Sequence, residues 1–337
     1  MNTTHRATGL DLVRVIAALA VFLFHGRLLA GVSVGGPLAD YGNLGVPVFF
    51  ALSGYLVYRP FAQGSVEPFT YLARRAVRIV PAIALAIIGI GLLLPSGLPW
   101  LFVVLWSLCV EAMFYVSLPL FARLSKGHEL ASVIILAVPS VIFSQIMGGL
   151  DLPRMLPATP FYAPGWWWAF APGMILALVE RDHPGLLRPR PLMLGGILLL
   201  GAEFVFLYRC PPQAGDFVRS ALLVTGAVAI MASVIHWQPG RGVVLAALAA
   251  DISYPFYLWH APILSVLAPI GGGYLLLGAG LVLTIIASGA SVLLVERPFR
   301  RIWSNSATEI RARVRRSQSL IGIPKPALLR DDVLVSQ

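Results

Sequence analysis

The first hydrophobic segment, residues 10–30, carries the ionisable side chains of Arg14 and His25 in its interior, between Asp11 and Arg27. Such groups are costly in hydrocarbon: insertion scales put an arginine at the centre of a membrane helix at roughly 2.5–3.5 kcal/mol. Because eleven residues at about 100° each return to within 20° of the start, both side chains share one helix face. They lie about 16 Å apart along the axis, half a bilayer. The pair predicts a functional stripe inside a membrane helix.

Composition places this stripe in a membrane protein. Of the 337 residues, 58% are hydrophobic and 12% are charged, whereas a soluble domain carries about 25% charged residues. The two cysteines, Cys109 and Cys210, give neither a disulfide framework nor a metal-ligand spacing. The N-terminus lacks a small-residue cleavage site, so we expect the first segment to be retained.

Windows of about 20 apolar residues predict ten membrane-spanning helices. We expect them near residues 10–30, 44–59, 77–95, 104–124, 131–148, 165–181, 191–208, 218–236, 251–269 and 273–296. With the N-terminus inside, twenty of the 25 Lys and Arg residues fall on the cytoplasmic side, as the positive-inside rule requires. The sequence predicts an all-α, polytopic membrane bundle of about ten helices with both termini cytoplasmic.

We expect two regions, a transmembrane domain over residues 1–300 and a basic cytoplasmic tail over 301–337. The tail shows no apolar period, and its arginines suit a flexible segment attracted to anionic lipid. Because it is too short for a soluble catalytic domain, any chemistry is expected in the membrane domain. Topology accounts for the net charge of +10, so nucleic-acid binding is the disfavoured interpretation.

Six short motifs follow one another along the predicted membrane domain. In chain order they are the Arg14 and His25 pair, G-N-L-G-V-P-V-F-F-A-L-S-G-Y-L over 42–56, Y-L-A-R-R-A-V-R-I-V-P over 71–81, W-S-L-C-V-E-A-M-F-Y over 106–115, I-S-Y-P-F-Y-L-W-H over 252–260 and E-R-P over 296–298. In this order the set resembles acyltransferase family 3, a family of integral-membrane O-acyltransferases. The resemblance implies transfer of an acyl group, often acetyl, from acyl-CoA to a hydroxyl group of a sugar, glycan or natural product.

The fourth motif departs from the family pattern. Ala112 and Met113 stand where the family often has a second acidic residue and a glutamine, so Glu111 is the motif's only carboxylate. Estimated depths of about 10 Å for Glu111 and 8 Å for His25 below the outer helix ends let the two meet. We therefore expect Glu111 to orient His25 or stabilise its protonated form. The alternative is a structural ion pair between Glu111 and an arginine.

His25 is the candidate general base, because imidazole titrates near neutral pH and suits removal of a proton from a hydroxyl. Its alternative role is helix packing. Arg75 and Arg78, three residues apart, are expected to bind the phosphates of acyl-CoA together with Arg14. Ordinary positive-inside charge is the alternative, and it is favoured for Arg74. Substrate contacts or supporting roles are predicted for Ser53, Trp106, Ser107, Tyr115, Tyr254 and His260; no metal is expected.

The sequence thus predicts an enzyme of the inner (cytoplasmic) membrane. It would transfer an acyl group, acetyl by preference, from acyl-CoA to a hydroxylated glycan or glycoside that approaches from the outer side. Direct transfer and an acyl-histidine intermediate both stay open. The rival class is a transporter that moves a polar substrate or protons along the Arg14–His25 stripe. A scaffold without chemistry is a poor third, since it has no use for intramembrane charges.

Overall fold

The computed structural model describes residues 8–31, 42–64, 66–149, 163–209, 212–237 and 243–303, and within these ranges the chain forms ten α-helices and no strand. The helices are α1 Thr8–Ala30, α2 Gly45–Ala62, α3 Pro68–Leu93, α4 Leu98–Leu124, α5 Glu129–Gly149, α6 Trp167–Asp182, α7 Pro189–Arg209, α8 Pro212–Val234, α9 Val243–Leu267 and α10 Gly273–Ser291. A π-helical turn, Val292–Glu296, continues α10.

Each of the ten predicted apolar segments coincides with one helix, which confirms the all-α prediction. In the part of the chain that the structure describes, six helical segments are long and apolar enough to cross a membrane by length and composition: Thr8–Ala30, Gly42–Ala62, Pro68–Leu93, Pro95–Leu124, Glu129–Ile146 and Gly273–Trp303. A multi-pass membrane protein follows from these six. The full count of ten spans, the orientation and the division into two regions stay predictions, and the tail lies outside the described residues from 304 onward.

Four helices, α3, α4, α8 and α9, begin six or more residues earlier than the apolar windows suggested. The side chain of Glu67 caps α3 by accepting hydrogen bonds from the backbone N–H groups of Thr70, at 2.6 Å, and Phe69, at 2.9 Å. These bonds hold the pKa of the Glu67 carboxyl below its ordinary value. Because α3 starts at Pro68 and not near 77, the arginines of its motif lie within the helix. Likewise, α4 starts at Leu98 instead of near 104.

The centre of the bundle depends on close contact between α2 and α6. A side chain at Gly173 would overlap the carbonyl oxygen of Ala51, and one at Gly54 would overlap that of Phe170. Small residues of this kind let helix backbones touch, which is the usual basis of helix association in membranes. Beside this contact the ring of Phe170 stacks on Phe114 of α4 at a centroid distance of 4.0 Å.

Helix α9 contacts α1, α4 and α10. The ring of Phe256 packs on Phe22 of α1 with centroids 5.6 Å apart. On the other side, the hydroxyl of Tyr257 lies 2.8 Å from Oγ of Ser107 on α4. These contacts place His260 of α9 in the space between α1 and α4.

Replacing Gly173 by alanine is expected to destabilise the protein by about 1–3 kcal/mol, because the new methyl group has no room against the α2 backbone. The melting temperature of the purified protein in detergent measures the effect. Gly91→Ala on α3 is the matched control, since no atom lies within 4 Å of a side chain there, and alanine favours a helix. Equal melting temperatures for the two variants would contradict the assigned contact.

Candidate active site

Two histidines from distant parts of the chain meet between α1 and α9. Nδ1 of His25 lies 3.0 Å from Nε2 of His260, and the ring centroids are 4.9 Å apart. Nδ1 of His25 also lies 3.1 Å from the carbonyl oxygen of Val21, and Nδ1 of His260 lies 2.7 Å from that of Tyr257. His260 is 1% exposed, whereas His25 is half-buried. The geometry therefore joins the predicted base to a residue that was predicted only in a supporting role.

Aromatic rings surround this pair. Trp100 of α4 meets the His25 ring edge-on at 6.2 Å, and Phe24 does so at 5.3 Å. Phe256 lies parallel to the His260 ring at 6.3 Å. Sequence reasoning missed Trp100, because it precedes the apolar window of the fourth helix. A mostly apolar wall with a few polar atoms is typical of a small-molecule site.

Glu111 lies in a second polar cluster. Its carboxylate accepts hydrogen bonds from the hydroxyls of Ser53 and Tyr115, which are themselves 3.4 Å apart. The structure thus brings together three predicted site residues, but the partners of Glu111 are not the predicted ones: the contact made by His25 is with His260.

Helix length explains this difference. Trp100 is level with His25, and Glu111 follows it by eleven residues, or about 16 Å along α4. Glu111 is therefore level with Arg14, which lies the same distance from His25 along α1. The sequence-based depth of Glu111 was too shallow because the prediction left out the first six residues of α4.

The predicted donor-binding arginines gather around this second cluster. The guanidinium of Arg75 lies 5.6 Å from the centre of the Tyr115 ring and 5.8 Å from that of Tyr71, distances typical of cation–π contacts. A guanidinium nitrogen of Arg14 lies 3.4 Å from a carboxylate oxygen of Asp11. The Arg14 guanidinium is also close enough to that of Arg78 for the two cations to repel each other. Arg14 and Arg75 are half-buried and Arg78 is exposed, and arginines held near one another in this way are suited to bind an anion.

The π-helical turn after α10 adds a buried carboxylate on the same side. Glu296 is 4% exposed and accepts a hydrogen bond of 3.2 Å from Ser291. It interacts electrostatically with Arg78 and Arg300. The neighbouring Arg297 pairs with Asp251 at 3.6 Å. Glu296 of the E-R-P motif therefore adds a buried carboxylate beside the arginine cluster.

The remaining predicted residues lie beside the histidine pair, near the Glu111 cluster or, for Trp106, in the aromatic core. Oγ of Ser107 contacts the Tyr257 hydroxyl, next to the histidine pair. The buried hydroxyl of Tyr254 has no hydrogen-bond partner among the described residues. Tyr254 interacts electrostatically with Glu111 and Arg78. Trp106 packs on Trp166 at 5.2 Å, in the aromatic core. Tyr257 was missed as a site residue because its role is carried partly by its backbone carbonyl.

Comparison with known proteins decides the class of this site. A family model described as "Acyltransferase domain" matches residues 8–295. The chain belongs to acyltransferase family 3. It is therefore a transferase enzyme, and its rival interpretation as a transporter gives way to an acyltransferase. Among the described residues, no group of three or more His, Cys, Asp or Glu side chains is placed to bind a metal ion.

Several curated proteins are similar to this acyltransferase over most of their length. The exopolysaccharide production protein ExoZ of Rhizobium meliloti is 29% identical over 77% of this chain and 90% of its own. The acyltransferase MdmB of Streptomyces mycarofaciens is 28% identical over 88% of this chain and 92% of its own. A putative acetyltransferase of Acidianus two-tailed virus, ORF330, is 25% identical over 77% and 84%. No solved structure matches the chain.

Glu111→Gln is expected to preserve the fold, because the amide oxygen still accepts hydrogen bonds from Ser53 and Tyr115. Glu111→Ala leaves two buried hydroxyls without that acceptor, at a cost of about 1–3 kcal/mol each. Melting temperatures in detergent should therefore fall in the order wild type, glutamine, alanine. An alanine variant as stable as wild type would show that these hydrogen bonds do not hold α2 against α4.

Proposed function

We propose that this protein is an inner-membrane O-acyltransferase that moves an acyl group, acetyl by preference, from acyl-CoA to a hydroxyl group of a glycan or glycoside. The observation that carries the proposal is the arrangement of two polar centres on α1, α3, α4 and α9. An arginine cluster lies at one level and a histidine pair about 16 Å away along the helices. The exopolysaccharide production protein among the relatives supports a glycan acceptor.

The donor is assigned to the arginine cluster. Guanidinium groups bind phosphate oxygens through charge-assisted hydrogen bonds, and coenzyme A carries several phosphates. A bound anion would relieve the repulsion between Arg14 and Arg78. Arg75 would be held ready by the rings of Tyr71 and Tyr115. In this proposal Glu111 orders Tyr115 for that task, which replaces the role in orienting His25 expected from the sequence.

The chemistry is assigned to His25. A ring nitrogen of His25 takes the proton from the acceptor hydroxyl while the hydroxyl oxygen attacks the thioester carbon. The tetrahedral intermediate then collapses, the carbon–sulfur bond breaks, and the proton passes from His25 to the departing sulfur. The products are an ester and free coenzyme A. The half-buried position of His25 within walls of aromatic rings limits access of water to the thioester.

Access from two sides follows from the predicted orientation. In this proposal the arginine cluster lies towards the cytoplasm, where acyl-CoA is found, and the histidine pair towards the outer surface, as the positive-inside distribution predicts. The glycan or glycoside would then approach past Trp100 and Phe24. Aromatic rings provide flat apolar surfaces on which the apolar face of a sugar ring can pack.

His25→Ala is expected to abolish acceptor-dependent release of free coenzyme A from acetyl-CoA by the protein in liposomes. Loss of a general base lowers rates by about 10²–10⁴-fold. Glycan and glycoside acceptors would be compared with an acceptor-free control. Release that persists at the wild-type rate in the variant would move the base to another residue, and no release by folded wild type across donors and acceptors would remove the proposed reaction.

The double variant Arg75→Ala, Arg78→Ala is expected to raise the KM for acetyl-CoA by about 100-fold or more, because it removes hydrogen bonds from two charged groups and each contributes about 1.5–3 kcal/mol. The kcat should change less than the KM, since these residues bind the donor and take no part in the chemistry. Arg74→Ala is the matched control. An unchanged KM in the double variant would contradict donor binding at this cluster.

A further inference from the structure

We infer that His260 is a positioning residue that fixes the tautomer of His25, so that Nε2 of His25 is the atom that takes the proton from the acceptor. The inference rests on the proposed function, because it assigns the reacting nitrogen of the base named there. It goes beyond it by giving the base a neutral histidine as its partner, in the place where hydrolytic and acyl-transfer triads commonly have a carboxylate.

The carbonyl groups determine which nitrogens carry hydrogen. A carbonyl oxygen only accepts hydrogen bonds, so Nδ1 of His260, 2.7 Å from the Tyr257 oxygen, must be an N–H donor. In the neutral ring, Nε2 of His260 then has a lone pair. That lone pair faces Nδ1 of His25 at 3.0 Å and requires an N–H there. The same Nδ1–H also points towards the Val21 oxygen. Nε2 of His25 is left with its lone pair.

Several contacts hold His260 in this orientation. The ring is 1% exposed, and Phe256 lies parallel to it with an interplanar angle of 7°. Tyr257, whose carbonyl accepts from the ring, is anchored to α4 by hydrogen bonds of its hydroxyl to Ser107 at 2.8 Å and to the Val104 carbonyl at 3.2 Å. Rotation of the His260 ring would therefore break a buried hydrogen bond and a packed contact.

A neutral partner suits this position. A carboxylate here would add a buried charge, whereas the rings that the described part of the chain packs against the pair, among them those of Trp100, Phe24 and Phe256, carry no charge. A second imidazole fixes the tautomer without that cost. When Nε2 of His25 accepts the acceptor's proton, Nδ1 keeps its hydrogen, and its bond to His260 becomes charge-assisted. The proton then leaves from Nε2 to the coenzyme A sulfur.

The direct test is solid-state NMR of the wild-type protein in bilayers with ring-labelled histidine. Nitrogen and carbon shifts of the ring distinguish the Nδ1–H from the Nε2–H tautomer. The six histidines of the chain can be assigned by difference, with His25→Ala and His260→Leu spectra removing one signal each. We expect His25 in the Nδ1–H form in wild type, and the Nε2–H form or a mixture in His260→Leu. A His25 ring that is Nε2–H in wild type would overturn the inference.

Kinetics with two substitutions at the same position separate the hydrogen bond from packing. His260→Gln places an amide oxygen near the position of Nε2 and is expected to keep kcat within about 10-fold, whereas His260→Leu, which offers no acceptor, should lower kcat by about 100-fold with an unchanged KM for acetyl-CoA. His128→Leu, at an exposed position before α5, is the control and should retain wild-type kcat.

The outcomes separate this inference from the proposed function. Wild-type kcat and unchanged His25 signals in His260→Leu would overturn the positioning role while loss of activity in His25→Ala still supports the base. Wild-type activity in His25→Ala would instead overturn the proposed base. If His260→Leu does not fold, the wild-type spectrum and His260→Gln decide, because a glutamine variant that loses about 100-fold in kcat while folded contradicts an acceptor role.

Discussion

Two hydroxyl groups, from Ser53 on α2 and Tyr115 on α4, donate hydrogen bonds to the half-buried carboxylate of Glu111. A carboxylate inside an apolar bundle is costly without such partners, so these hydrogen bonds hold the two helices together at this level. The ring of Tyr115 contacts the guanidinium of Arg75 on α3, which brings a third helix to the same point. One half-buried acid therefore helps to set the positions of the helices that carry the arginine cluster.

The histidine pair follows the opposite physical rule. In the proposed mechanism its members are neutral before the reaction; Nδ1 of each ring faces a carbonyl oxygen, and Nε2 of His260 faces the other ring. The arginine cluster and Glu111 thus lie at one level and the two imidazoles at another. An acyl-transfer site needs both, because phosphates require cations, whereas a general base requires a ring that is unprotonated before it reacts.

The fold was predictable because long apolar windows report helices directly, and the Arg14–His25 spacing correctly places two residues on one face of α1. The depth of Glu111 along α4 was not predictable. The apolar window for this helix began at 104, although Pro99 and Trp100 already belong to the helix. The contact between His25 and His260 joins residues 235 positions apart. No local period reports such a pairing, since it depends on how α9 packs between α1 and α4. Trp100 was missed as a site residue because it precedes the predicted window, and Tyr257 because it acts partly through its backbone carbonyl.

In the proposed function, the distance between the two polar levels also determines which part of the donor enters the membrane. With the phosphates of the donor held at Arg75 and Arg78 and its thioester presented at His25, a slender pantetheine arm would occupy the bundle between them. The nucleotide would keep to its own side, and the sugar would keep to the other. Such an enzyme would carry an acyl group through the insulating layer of the bilayer without ever opening a passage wide enough for either of the molecules that exchange it.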